Sequence, residues 1–137
     1  MNKVINGAIA GVLATAILSL MMIIKGKMGV MPELDVISML AGMMGGALVL
    51  GWVMHFIVGI GYGVIFHLTS SKLPTESFII KGFILGVVGW LFMMLMVMPM
   101  MGAGLFGMTM GIMAPMMTLV LHAIFGVFLG FIYSKLP

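Results

Sequence analysis

Four apolar runs of about twenty residues each, parted by short polar segments, constrain this chain more than any other feature. About 20 apolar residues of helix cross the hydrocarbon core of a bilayer. Lipid cannot hydrogen-bond a backbone, so such a run must be helical. The runs are Val4 to Ile24, Leu48 to Leu68, Phe78 to Met98 and Pro115 to Tyr133. Three of them close on polar residues: Lys25 and Lys27, Thr69 to Lys72, and Ser134-Lys135. Six lysines and three acids make only 7% of the chain charged against 64% hydrophobic, with a mean hydropathy of +1.36. A domain solvated by water carries about 25% charged residues. The expected fold class is an all-α membrane protein of four transmembrane helices.

The charges also set expectations about place and partners. Lys3, Lys72, Lys81 and Lys135 fall on one side of the spans, and Lys25 and Lys27 on the other. The positive-inside rule then puts both termini in the cytoplasm. The first run opens like a signal peptide. It lacks a small-x-small cleavage site before a polar region, so it reads as the first span. A net charge of +3, scattered along the chain, excludes the clustered basic face that nucleic acid needs. The partners expected are the lipid bilayer and other membrane helices, either further copies of the chain or other subunits. With no cysteine, neither disulfides nor thiolate metal sites are available.

Between the first two runs, Pro32 followed by Glu33 and Asp35 reads as a helix start, predicting a short interfacial helix over Val36 to Met44. The matching stretch Met100 to Gly111, rich in Gly and Met, must be buried in protein or lie at the interface.

The two halves of the chain align with one another. The pattern I-x-G-x-I-x-G-V occurs at Ile5 to Val12 and again at Ile80 to Val87. Met31-Pro32 and Met98-Pro99 each precede a histidine, His55 and His122, with the same 23-residue step from Pro to His. Each histidine opens His-x3-Gly-x3-Gly, and each half closes on Ser-Lys-Leu-Pro. These matches divide one membrane domain into repeat A, 1–74, and repeat B, 78–137. Two spans per repeat imply parallel repeats about a pseudo-two-fold axis along the membrane normal.

Residues four apart share a helix face. Gly51, His55, Gly59, Gly63 and His67 therefore form one stripe, and Thr118, His122, Gly126, Gly130 and Ser134 another. Small residues at this spacing are packing seams in lipid. Within a seam, His55 and His122 can act as packing glue, with Thr15, Ser19 or Thr118 as partners. They can instead be the two axial ligands of a b-type haem, at equal depth, with the glycines leaving room for a porphyrin edge and Lys72 and Lys135 near its propionates. The twenty methionines offer a third reading, Cu(I) handling by thioethers, with Met94, Met98, Met101 and Met117 as candidate ligands. Against it, methionine is a flexible apolar filler that can stand in for leucine. His67 has no counterpart histidine and reads as an interface residue. Gly59-Ile60-Gly61-Tyr62-Gly63 is similar to a potassium filter loop, but it lies inside a helix-length run, so that reading is rejected. No Ser-His-Asp set, carboxylate pair or phosphate loop is present, which argues against an enzyme.

Met31-Pro32-Glu33-Leu34-Asp35, Gly51-Trp52-Val53-Met54-His55-Phe56, and Val97-Met98-Pro99 leading into Gly102 to Gly107 carry a further signal. The chain resembles an uncharacterised family of small bacterial four-span integral membrane proteins. The resemblance covers nearly the whole chain and implies a bacterial inner membrane, but no activity. The function expected is helix–helix association, as an oligomer or an accessory subunit of a larger membrane complex, with haem electron transfer and copper handling as alternatives.

Overall fold

A computed structural model describes residues 2–137. Four long helices carry the chain: α1 (Lys3–Lys27), α3 (Leu48–Ser70), α4 (Phe78–Met100) and α5 (Met113–Lys135). Each is long and apolar enough to cross a membrane. The short α2 (Val36–Met43) links α1 to α3, and a 3-10 segment (Leu105–Met110) links α4 to α5. The described residues contain no strand.

Local chemistry explains the helix ends. The Asn2 side chain accepts from the Val4 amide, and the Ser77 hydroxyl accepts from the Ile80 amide, satisfying amides that have no intrahelical partner. Lys25 and Lys27 lie in the last turn of α1, where cations complement the helix dipole. Pro115 stands in the first turn of α5, where a missing N–H costs nothing.

α2 begins at Val36, as expected, but its starting residues are not Pro32 and Glu33. Pro32 and Glu33 belong to the preceding turn, where Met31 has φ 46°. Asp35 is the true cap: its carboxylate accepts from the Ser38 amide at 3.1 Å and the Ser38 hydroxyl at 2.6 Å. The Ser38 hydroxyl, backbone N–H groups and Lys25 hold its pKa below the usual carboxylate value, against the opposing effect of partial burial. Lys25 then locks the turn, its ammonium donating to the carbonyls of Val30, Met31 and Leu34 at 2.9–3.0 Å. The Met100 to Gly111 stretch closes on itself through the Thr109 hydroxyl, which donates to the Ala103 carbonyl.

α1 packs antiparallel on α3, and α4 on α5; α1 with α5 and α3 with α4 complete a four-membered ring. The glycine seams decide these pairings. A Cβ on Gly11 would overlap the Gly59 carbonyl, and one on Gly63 the Gly7 carbonyl. In the second hairpin a Cβ on Gly82 would overlap the Gly126 carbonyl, and one on Gly86 the His122 carbonyl. In lipid, such backbone approach replaces the hydrophobic drive that water would supply. The two hairpins do not share one register. Gly7 faces Gly63, whereas its counterpart Gly82 faces Gly126, the counterpart of Gly59. The offset is one helical turn, about 5.4 Å.

Between the hairpins, Ala10, Ala14, Phe66, Phe125 and Leu129 form a buried core, with the Tyr62 and Phe125 rings edge-on at 5.4 Å. This core occupies the half of the bundle nearest the α3–α4 turn, called here the terminal end. The half nearest α2 and the 3-10 segment is the distal end.

Candidate functional site

Two places gather the side chains capable of chemistry. The first is the pair of histidines at mid-span. His55 is 7% exposed, and its Nε2 lies 3.1 Å from the Ser19 hydroxyl of α1. Ser19 gives its proton to the Thr15 carbonyl at 2.7 Å. It must therefore accept from His55, which fixes the neutral ring as the Nε2–H tautomer. His122 does something different, donating from Nδ1 to the Thr118 carbonyl in its own helix at 2.9 Å. Of the expected partners, Ser19 engages His55 by its hydroxyl, Thr118 engages His122 by its carbonyl, and Thr15 serves only through its carbonyl. The Thr15 hydroxyl is buried against Gly59 without a hydrogen-bond partner.

These residues do not fit a haem held between His55 and His122. Gly59 and Gly63, expected to leave room for a porphyrin edge, are closed against α1, and Gly126 and Gly130 against α4. Tyr62, Phe66 and Phe125 fill the space between α3 and α5 on the terminal side of the histidines. A flat ring of porphyrin width has no slot there. The other seam residues divide likewise. Gly51 receives α2, whose Ile37 carbonyl a Cβ would overlap, and Thr118 meets α4.

The second place is the distal end. Met94 and Met98 of α4, 0% and 1% exposed, form a buried cluster with Ala103. Met39 of α2, Met93 of α4, Met110 of the 3-10 segment, Trp90 and Phe106 pack against it. A π turn over Met93–Val97 shapes this stretch of α4. The Trp90 indole fastens the cluster to α5, donating to the Pro115 carbonyl and the Thr118 hydroxyl, both at 3.1 Å. Thr118 gives its own proton to the Ala114 carbonyl at 2.7 Å and lies 3.9 Å from the Met94 sulfur. Of the four methionines expected as ligands, Met94 and Met98 are brought together. Met101 and Met117 are only partly buried and lie outside the cluster.

Sequence reasoning placed Met110 with Met108, Met113, Met116 and Met117 along a copper path but missed Met39, because a contact between α2 and α4 leaves no trace in local spacing. It also missed Asn6, which is 3% exposed and donates to the Pro137 carbonyl oxygen, its own amide oxygen being buried without a partner. Here a signal existed: the x of the repeated I-x-G is polar in both halves, Asn6 and Lys81, and both side chains are buried. His67, read as an interface residue, is shared between hairpins through the Tyr133 hydroxyl at 2.7 Å.

A family model matches residues 1–137 in full. The chain belongs to the family of unknown function DUF6789. This agrees with the resemblance to an uncharacterised family and assigns this family member no activity. Neither curated proteins nor solved structures gave a match.

Proposed function

We propose that the chain is a bacterial inner-membrane protein, with Lys3, Lys72, Lys81 and Lys135 on the cytoplasmic side, that works by helix–helix association. It serves as an oligomer of itself or as an accessory subunit of a larger membrane complex. One observation carries this reading: where the polar groups of the spans go. One ring nitrogen each of His55 and His122, the Ser19 and Thr118 hydroxyls and the Trp90 indole make hydrogen bonds within the chain. What the spans turn outward is apolar, and α3 and α4 bury only 22% of their most apolar windows. Gly61, unlike Gly51, Gly59 and Gly63 of the same helix, has open space around it. It offers a second helix the close approach that small residues permit in lipid.

The test is the mass of the particle extracted directly from membranes into polymer-bounded lipid discs. The reading expects two or more copies, or a fixed ratio to other subunits, disrupted by Gly61→Leu. A single chain at every protein-to-lipid ratio contradicts it.

A further inference from the structure

We infer that the distal methionine cluster is a binding site for a soft monovalent metal cation, Cu(I) or Ag(I), with Met94, Met98 and Met110 supplying the thioether ligands and Met39 beside them. This rests on different residues from the association reading and stands without it.

The first support is where the methionines are. The midpoints of the four long helices fall at Thr15, Gly59, Gly89 and Ile124. Of twenty methionines, every one but Met1 lies on the distal side of these midpoints or in the distal connections. A filler that merely stands in for leucine has no reason to avoid one half of a bundle. The apolar side chains of the terminal half are Leu, Ile, Val, Phe, Ala and Tyr, with no methionine in the described helices. The asymmetry therefore asks for a property that leucine lacks, and the thioether lone pair is that property.

The second support is convergence. α2, α4 and the 3-10 segment bring Met39, Met94, Met98 and Met110 into one buried cluster. Thioether sulfur selects Cu(I) among biological cations. The Met94 sulfur is not committed elsewhere, since the nearby Thr118 hydroxyl spends its proton on the Ala114 carbonyl. At Gly107 the chain leaves a space of methyl size. A Cβ built there would stand 3.5 Å from the Met98 sulfur, 3.5 Å from the Met110 methyl and 3.7 Å from Ala114. Gly107 has φ 64°, where a side chain is strained, so the space stays free. Rotation about the Cβ–Cγ bond of Met110 swings its sulfur toward that point, and methionine's unbranched chain makes such rotation easy. The π turn at Met93–Val97 is a feature that occurs preferentially at functional sites.

Access and selectivity follow from the same residues. An apolar hollow of about 330 Å³ opens beside the cluster, lined by Met108, Met116, Trp90 and Phe106. Two of those lining residues, Trp90 and Phe106, back directly onto the buried methionines. Harder divalent cations find no counterpart set, since no three His, Asp or Glu side chains converge among the described residues.

The experiment titrates the full chain in detergent with Ag(I), a redox-inert stand-in, in competition with a chromogenic Cu(I) chelator. One tightly held equivalent is expected. The triple variant Met94→Leu/Met98→Leu/Met110→Leu, which keeps side-chain volume, should weaken it by about tenfold or more. The pairs Met28→Leu/Met100→Leu, both exposed, and His55→Gln/His122→Gln should leave it unchanged. A second readout needs no variant: with methyl-labelled methionine, Ag(I) should shift the resonances of Met94, Met98 and Met110 first. No binding, wild-type affinity in the triple variant, dependence on the histidines, or shifts confined to exposed methionines such as Met100 would each overturn the proposal.

Discussion

The histidine pair and the methionine cluster both sit within the bundle, and both arise from residues that look chemical in the sequence, yet the fold treats them differently. His55 and His122 are each absorbed into the packing of their own hairpin, one by Ser19 across the α1–α3 seam and one by the carbonyl of Thr118. Glycine contacts then close both seams beside them. The methionines meet where no glycine seam exists, among a short helix, a π turn and a 3-10 segment with four glycines at positive φ nearby. Regular helix pairing consumes polar groups, and irregular backbone keeps side chains adaptable. The region proposed as the metal site is therefore the one where the bundle stops being regular.

Four perturbations sharpen this contrast, in falling order of effect. Gly11→Leu drives a branched side chain into the Gly59 backbone, which cannot yield, and should cost about 3 kcal/mol or more of stability. Thermal unfolding in detergent measures it. Met94→Ala empties a fully buried site and should cost about 2 kcal/mol, whereas Met94→Leu should cost less than about 1.5 kcal/mol. Equal losses in the two variants would mean that the sulfur itself, and not its volume, holds the distal end together.

Asp35→Ala removes the cap of α2 and should cost about 1 kcal/mol, confined to the distal end. Because the folded carboxyl has a lowered pKa, its contribution is present above the ordinary carboxylate value and fades as pH falls through the lowered one. Hydrogen exchange at the Ser38 amide, followed from neutral pH downward, reads this directly. An exchange rate that, corrected for intrinsic pH dependence, stays flat through the acid range would contradict it. Last, His55→Gln should cost only about 0.6 kcal/mol, the mean for a polar contact between membrane helices. A loss several times larger would restore the histidines to a functional role.

Much of the fold was legible because lipid makes hydropathy decisive. The four helices begin and end within three residues of the apolar runs, and the small-residue stripes are the packing seams. The partner of each stripe was not legible. Gly59 and Gly126 share a sequence context and read as room for a porphyrin edge, but each closes on its own hairpin partner, α1 or α4. The one-turn offset between hairpins was hidden for a related reason. Glycines repeat every fourth residue, so sliding one helix by a turn again puts glycine or bare backbone in contact, and both registers satisfy the same pattern. The short helix from Val36 was legible, but not its cap: Pro with nearby acids also suits a turn, and only the Asp35–Ser38 hydrogen bonds distinguish the cap. The π turn and the meeting of Met39 with Met98 depend on tertiary contact and have no local code.

The central claim is that any metal chemistry belongs to the methionines at the distal end and not to the histidines at mid-span. The most direct measurement is X-ray absorption at the copper edge of the Cu(I)-loaded protein. The account predicts a first shell of sulfur alone, unchanged by His55→Gln/His122→Gln. A shell containing imidazole nitrogen, lost in that variant, would contradict it and return the site to the histidine pair.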